Sequence, residues 1–352
     1  MTSNRVRHGN APPVASKEKK TATGAHAERL HAIPKTMHAV AFDHPGGPEV
    51  LSVHVLPVPE LDANEVLIAV HTAGVGVWDA DIREGWSPGG HRPHYPLVLG
   101  SDGAGTVAAV GSRVRRFKPG DRVYAYGWDN PKGGFYAEYV ALAADSVAPI
   151  PKPLDLKHAG AAPVSGLTAL QGIDDALHVK KSQAVIVHGA SGGVGSLALQ
   201  FAKLRGARVL ATVSGEDGVA FVRDLGADMA ADGRHGDIAA AVSRFAPDGV
   251  DAVLALADGA VLERCVEAVR NDGIVAYPNG VEPEPKKRRG VKIIPYDGTA
   301  GVRQFDHLNH AIDVARPKIK IAAEYPLADA SKAHERLAAG HVVGKVVLRV
   351  RR

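Results

Sequence analysis

The stretch Val185-Ile-Val-His-Gly-Ala-Ser-Gly-Gly-Val-Gly195 constrains the fold more than any other part of the chain. A short apolar run ends, the chain turns on small residues, and Val194, Leu197, Ala198, Phe201 and Leu204 then recur at helical spacing. The pattern predicts a strand, a glycine turn and an apolar-faced helix in immediate succession. The alternation continues toward the C-terminus. Arg208–Val213 reads as strand, Val219–Leu225 and Ile238–Phe245 as helices, Val250–Leu256 as strand, Leu262–Val269 as helix and Gly273–Tyr277 as strand. Strands alternating with helices imply parallel βαβ units.

Residues 37–150 have another texture. His38–Phe42, Glu65–Val70, the Val/Ala run within Gly100–Gly111 and the segment after the turn Lys118-Pro-Gly-Asp121 all read as strands, with no long helical period among them. The terminal run Gly344–Val350 is also strand-like. It has no place in the alternating series, so it is expected to return to the β-rich part. The fold class is therefore α/β, with a β-rich domain beside a doubly wound parallel sheet, and 352 residues are enough for both cores.

Charge is unevenly spread. Arg5, Arg7, Lys17, Lys19, Lys20, Arg29 and Lys35 precede Met37 against only Glu18 and Glu28. Taking these seven from 42 basic and two from 38 acidic residues leaves 35 and 36, so the body is near neutral. Residues 1–36 lack apolar periodicity and are expected to be a disordered tail. The near-neutral body gives no reason to expect a nucleic-acid partner, and no run approaches the ~20 apolar residues that cross a bilayer. A cytoplasmic location is expected. The single cysteine, Cys265, lies in a helical pattern and reads as a buried structural thiol.

The glycine turn carries the strongest chemical signal. A helix N-terminus presents unpaired N–H groups and partial positive charge, and small residues let a diphosphate approach the main chain. Ala190, Ser191, Gly192, Gly193 and Val194 are the expected contacts, with Gly195 allowing the helix to pack on the strand. The residue ending the second strand of such a unit decides the cofactor, because an acidic side chain there accepts the ribose hydroxyls of NAD and repels the phosphate of NADP. Ser214 is neutral and favours NADPH. Glu216 and Asp217 follow at once with no Lys or Arg beside them, Arg234 is the nearest downstream cation, and NADH stays open.

Taken together, the motifs resemble the zeta-crystallin-like quinone oxidoreductases of the medium-chain dehydrogenase/reductase superfamily. The likeness runs through Gly100-Ser-Asp-Gly-Ala-Gly, Gly120-Asp-Arg-Val123, Gly133-Gly-Phe-Tyr-Ala-Glu-Tyr139, Ala161-Ala-Pro-Val-Ser-Gly-Leu-Thr-Ala169, the glycine turn, and Ala333-His-Glu-Arg-Leu337 before Gly340-His-Val-Val-Gly-Lys345. The resemblance implies a GroES-like catalytic domain, 37–165 plus 309–352, split around a Rossmann domain, 166–308. It also implies a homodimer, and places Thr168 and Lys345 beside the cofactor. The positions at which zinc-dependent relatives carry ligands hold Gly76, Ser101 and a segment near Pro163, and the pair His91 and His94 lacks further ligands, so no metal is expected.

The acceptor side departs from the family. Gly76 stands where a cofactor- and substrate-contacting Asn is usual, and Asp81 where a Tyr is common. Asp81 is a candidate proton donor or a cap for the segment after it, and Asp79 reads as structural. Trp78, Trp86 and Tyr95 are candidate walls for a flat acceptor. The expected activity is NADPH-dependent reduction of quinones or enones by direct hydride transfer without zinc. The alternative is a non-catalytic dinucleotide-binding relative.

Overall fold

A computed structural model describes residues 1–2, 33–87, 90 and 93–351, and every element below belongs to the unit Ala32–Arg352. The tail expected over 1–36 falls almost wholly outside the described residues, as does His91 of the histidine pair. The first strand, β1 (Thr36–Phe42), alternates exposed and buried positions before its last four residues sink into the core. It pairs antiparallel with β2 (Ser52–Pro57). The long strand β3 (Glu65–Val75) is followed by the short helix α1 (Val77–Arg83) and by β4 (Leu97–Val98), which completes the small sheet on the other side of β1.

A second, larger sheet is organised on β3. Antiparallel to it run β5 (Asp102–Val110) and β7 (Tyr139–Ala143), while β6 (Arg122–Tyr126) and β8 (Val147–Pro149) extend the sheet beyond β5. Helices α2 (Leu156–Gly160) and α3 (Pro163–Gln171) then lead to the parallel sheet.

That sheet is built from β9 (Ala184–His188), α4 (Gly193–Leu204), β10 (Arg208–Val213), α5 (Glu216–Asp224), β11 (Met229–Asp232), α6 (Ile238–Phe245), β12 (Val250–Ala255), α7 (Ala260–Glu267), β13 (Val269–Pro278) and β14 (Lys292–Tyr296). Its spatial order is β11-β10-β9-β12-β13-β14 with every neighbour parallel. Numbered from its own first strand this is 3-2-1-4-5-6, the order of a doubly wound dinucleotide-binding sheet. The strand order reverses between β9 and β12, and ligands of such sheets bind in the crevice at the strand ends there. Cys265 sits fully buried on α7.

Helix α8 (Val302–Ala315) packs on α3, and β15 (Ile321–Pro326) and α9 (Ala330–Ala338) lead to β16 (Lys345–Arg349). As the strand pattern of 344–350 anticipates, β16 rejoins the β-rich sheet, antiparallel to β3. The GroES-like and Rossmann architectures expected from the sequence are both present. Among the described residues no helix is long and apolar enough to cross a membrane.

Candidate active site

A cleft of about 1220 Å³ opens between the C-terminal ends of β9, β12, β13 and β14 and the β-rich sheet. Where β9 turns into α4 its wall is largely main chain. β9 ends in the fully buried apolar run Val185–Val187, and Gly189 turns the chain with φ +78°, a left-handed value glycine adopts without steric cost. α4 then begins after Gly192, with no side chain capping it. The N–H groups of Gly193, Val194 and Gly195 are thus the open donors of its first turn, and all three residues line the cleft.

The three glycines here do different work. A Cβ on Gly192 would meet only the Gly189 carbonyl, at 3.6 Å, so the protein itself has room for a side chain. A Cβ on Gly195 would lie 2.2 Å from the Gly189 oxygen and 2.7 Å from Ala190 Cα, so Gly195 is required for α4 to pack on the turn. A Cβ on Gly193 would approach Ser165 Oγ at 3.1 Å and Lys345 Cδ at 3.2 Å, showing two polar side chains converging on the helix start.

Lys345 arrives there through strand register. β16 pairs with β3 so that Val346 faces Val75, which places Lys345 opposite Gly76. Its ammonium nitrogen stands 4.0 Å from where a Gly76 Cβ would be, and Lys345 is 8% exposed. Two buried carboxyls share this floor. Asp102 accepts from the Val164 N–H (2.9 Å), and a Cβ on Gly74 would lie 2.2 Å from its Oδ1. Burial raises the Asp102 carboxyl above its usual range, against the pull of Lys345.

Asp79 is structural, as its sequence setting suggested. Its Oδ2 accepts from the Gly76 N–H (2.8 Å) and the Tyr136 hydroxyl (3.2 Å), and its Oδ1 from the Gly100 N–H (3.2 Å). Behind it, Tyr136 meets His334 Nε2 (3.1 Å), and Arg83 donates to His334 Nδ1 (2.8 Å). Because Arg83 can only donate, Nδ1 must accept, and Nε2 carries the proton donated to Tyr136. Burial pushes the Asp79 carboxyl up to about 6; burial, then Arg83, pushes the His334 imidazole down to about 4.

The other wall is aromatic. Trp78 on α1, Trp86 after it and Trp128 after β6 pack pairwise, with centroids 5.3, 5.4 and 5.6 Å apart. All three line the cleft, and Trp86 and Trp128 are 44% and 37% exposed. Trp78 also closes on the opposite wall, since a Cβ on Gly280, beyond β13, would lie 3.0 Å from its ring. Asp81 and Thr168 line the same cleft. Burial raises the Asp81 carboxyl, helped by Glu84 and Glu282.

Several expected positions fall elsewhere. Asp81 caps nothing: it lies in the second turn of α1, and Asp79, at the third helical position, makes the cap to Gly76. Tyr95 does not line the cleft, because the segment entering β4 lies against β1 and sets its ring edge-on to Phe42, 5.6 Å away. Ala190 is fully buried and its N–H donates to the Thr212 carbonyl (3.1 Å), leaving it nothing to offer a ligand. Ser191 is 9% exposed, and its carbonyl accepts from the Gly344 N–H (2.8 Å). Ser214 and Arg234 are outside the lining of the main cleft but stand just past the ends of β10 and β11, where a sheet of this kind meets the adenosine ribose. Among the described residues no three His, Cys, Asp or Glu side chains group to hold a metal. Trp128, Ser165 and Asp102 carry no local signal of their own that marks them as site residues, although Ser165 and Asp102 lie inside family motifs and Trp128 is one of only three tryptophans.

Comparison with known proteins agrees with this architecture. Residues 62–152 match the family described as "Alcohol dehydrogenase GroES-like domain", and residues 225–348 the one described as "Zinc-binding dehydrogenase". The quinone oxidoreductase of Mus musculus is 31% identical over 331 residues, covering 89% of this chain and 98% of that protein. The solved quinone oxidoreductase of Coxiella burnetii superposes with a TM-score of 0.81 at 30% identity, over 90% of this chain and all of that one. A mycobacterial protein solved in complex with NADPH gives 0.78 at 29% identity, over 89% of this chain and 100% of its own. On this shared sequence and fold, the chain belongs to the zeta-crystallin-like quinone oxidoreductase family of the medium-chain dehydrogenases/reductases.

Proposed function

We propose that the protein binds NADPH in this cleft and reduces quinones or conjugated enones by direct hydride transfer, without a metal. The carrying observation is the uncapped start of α4 at the reversal point of the parallel sheet, with Lys345 converging on it. Open N–H groups, a helix dipole and a buried ammonium are the donor set a diphosphate requires. The mycobacterial relative solved with NADPH supports the same cofactor here.

When bound, the nicotinamide supplies the hydride. The chain's own residues position the reactants and exclude water. Trp78, Trp86 and Trp128, which line the cleft, offer flat faces to a conjugated acceptor. Thr168, 9% exposed at the cleft wall, holds the reacting face in place. Asp81, raised by burial and by Glu84 and Glu282, retains a proton to higher pH than an ordinary carboxyl and delivers it to the reduced acceptor. The metal-free assignment rests on side-chain chemistry: Gly76 and Pro163 offer no donor atom and Ser101 only a neutral hydroxyl.

A panel of quinones, enones and alcohols, followed through NADPH absorbance with and without a chelator, tests the proposal. Quinone or enone turnover indifferent to chelator is expected; chelator-sensitive alcohol oxidation contradicts it. The bare floor at Gly76 favours one second reading, a dinucleotide-binding protein without catalysis, and tight NADPH binding with no turnover of any acceptor would select it.

A further inference from the structure

Past the end of β10, a histidine from the segment between α9 and β16 meets the first turn of α5. The segment Gly340–Gly344 lies between α9 and β16, and Gly344 bridges to Gly192 of the glycine turn. Within it, His341 adopts a left-handed backbone (φ +47°), a conformation that side-chain-bearing residues seldom take. That conformation accompanies an ion-pair contact: His341 Nε2 lies 2.9 Å from Asp217 Oδ1 and 3.0 Å from its Oδ2. Asp217 is in the first turn of α5, immediately after β10. The imidazole also covers Gly215, where an added Cβ would come within 3.0 Å of its Cε1.

This is the place where a dinucleotide-binding sheet reads the adenosine ribose, at the end of its second strand. Its charges are unusual for a site that accepts a 2′-phosphate. Glu216 and Asp217 open α5, and Asp232 ends β11, accepting from the N–H groups of Gly215 (3.0 Å) and Arg234 (2.9 Å). Against these carboxylates stand Arg234 and His235 on the turn after β11 and His341 from the other domain. Arg336, on α9, donates to the backbone carbonyls of Gly340 (2.9 Å) and His341 (3.1 Å) and so fixes the loop rather than the imidazole. Desolvation opposes the charge on Asp217, but the His341 and Gly218 contacts outweigh it and keep the carboxyl ionised below its usual range.

We propose that His341 sets the choice between NADPH and NADH. Held on the Asp217 carboxylate, its imidazole offsets the charge that would repel a 2′-phosphate; without that partner Asp217 stands as a bare anion, and the site turns toward the cofactor that lacks this phosphate. The inference rests on the dinucleotide reading of the cleft and adds to it a discriminating residue outside the nucleotide-binding domain.

The test is calorimetric titration of the full chain with NADPH and with NADH at one fixed pH, for the wild type, His341→Gln, Asp217→Asn and the double variant, each checked for folding by thermal melting. His341→Gln should lower the NADPH-to-NADH affinity ratio about tenfold, by weakening NADPH with little change for NADH. Asp217→Asn should raise that ratio, and in its background His341→Gln should no longer change it. An unchanged ratio in His341→Gln would overturn the proposal, as would an equal loss of both cofactors, which marks a merely structural clasp. Failure of either cofactor to bind the wild type would instead bring down the dinucleotide reading, and this inference with it.

Discussion

Where β9 turns into α4 the surface of the cleft is largely main chain, whereas on the β-rich side it is made of side chains. The first wall consists of Gly189, Gly192, Gly193 and the open end of α4, which Gly195 packs against the turn too closely for a side chain. The second consists of three tryptophans, Asp81 and a floor at Gly76, set on the short helix α1 and two loops. A wall of backbone recognises what every bound dinucleotide shares, its diphosphate. A wall of side chains can change with the acceptor while the sheet behind it stays the same.

The largest expected effect falls on the backbone wall. Gly192→Asp should weaken NADPH binding at least ~100-fold, because it sets bulk and negative charge against the diphosphate. The melting temperature should barely move, since space exists for a side chain there. Titration and thermal melting of the same sample check both halves. Unchanged affinity would break the comparison at its stronger end.

Gly195→Ala sharpens it from the opposite direction. Its methyl group would meet backbone atoms of Gly189 and Ala190, so the variant should lose about 2 kcal/mol of stability in denaturant unfolding while the folded fraction still binds cofactor. On the side-chain wall, Trp78→Ala should lower kcat/KM for polycyclic acceptors by roughly tenfold and leave NADPH affinity within about twofold. An equal loss on both substrates would mean that Trp78 supports the fold through its contact at Gly280 instead of facing the acceptor.

The smallest effect concerns the proton. Asp81→Asn should reduce kcat by a few-fold and change its pH profile. A carboxyl with a raised pKa donates while protonated, so the wild-type contribution is present at low pH and is lost as pH rises through that pKa. The Asn variant should lack this decline. If the two profiles coincide, solvent supplies the proton.

The same division explains what is legible in the sequence alone. The βαβ series and the glycine turn can be read there because their signals are local: the apolar face of α4 recurs at helical spacing, and Gly195 answers to Gly189 and Ala190 a few residues before it. The return of β16 to the β-rich sheet is signalled by its lack of a partner in the alternating series. The acceptor side depends on contacts across long separations that no local pattern encodes. Trp128 meets Trp78 only because β6 ends where α1 begins, at one edge of the cleft, and His341 reaches Asp217 across 124 residues. Tyr95 has the right chemistry, but the segment entering β4 sets it against Phe42. Asp81 has the composition of a cap, but the helix starts four residues before it.

The account depends most on where the diphosphate lies. A crystal structure of the protein soaked with NADPH tests that directly. The phosphates should be found on the N–H groups that open α4, with the Lys345 ammonium nearby and the ring of the nicotinamide toward Thr168 and the tryptophans. Well-ordered cofactor bound elsewhere, or none in the cleft when solution binding is saturated, would contradict it.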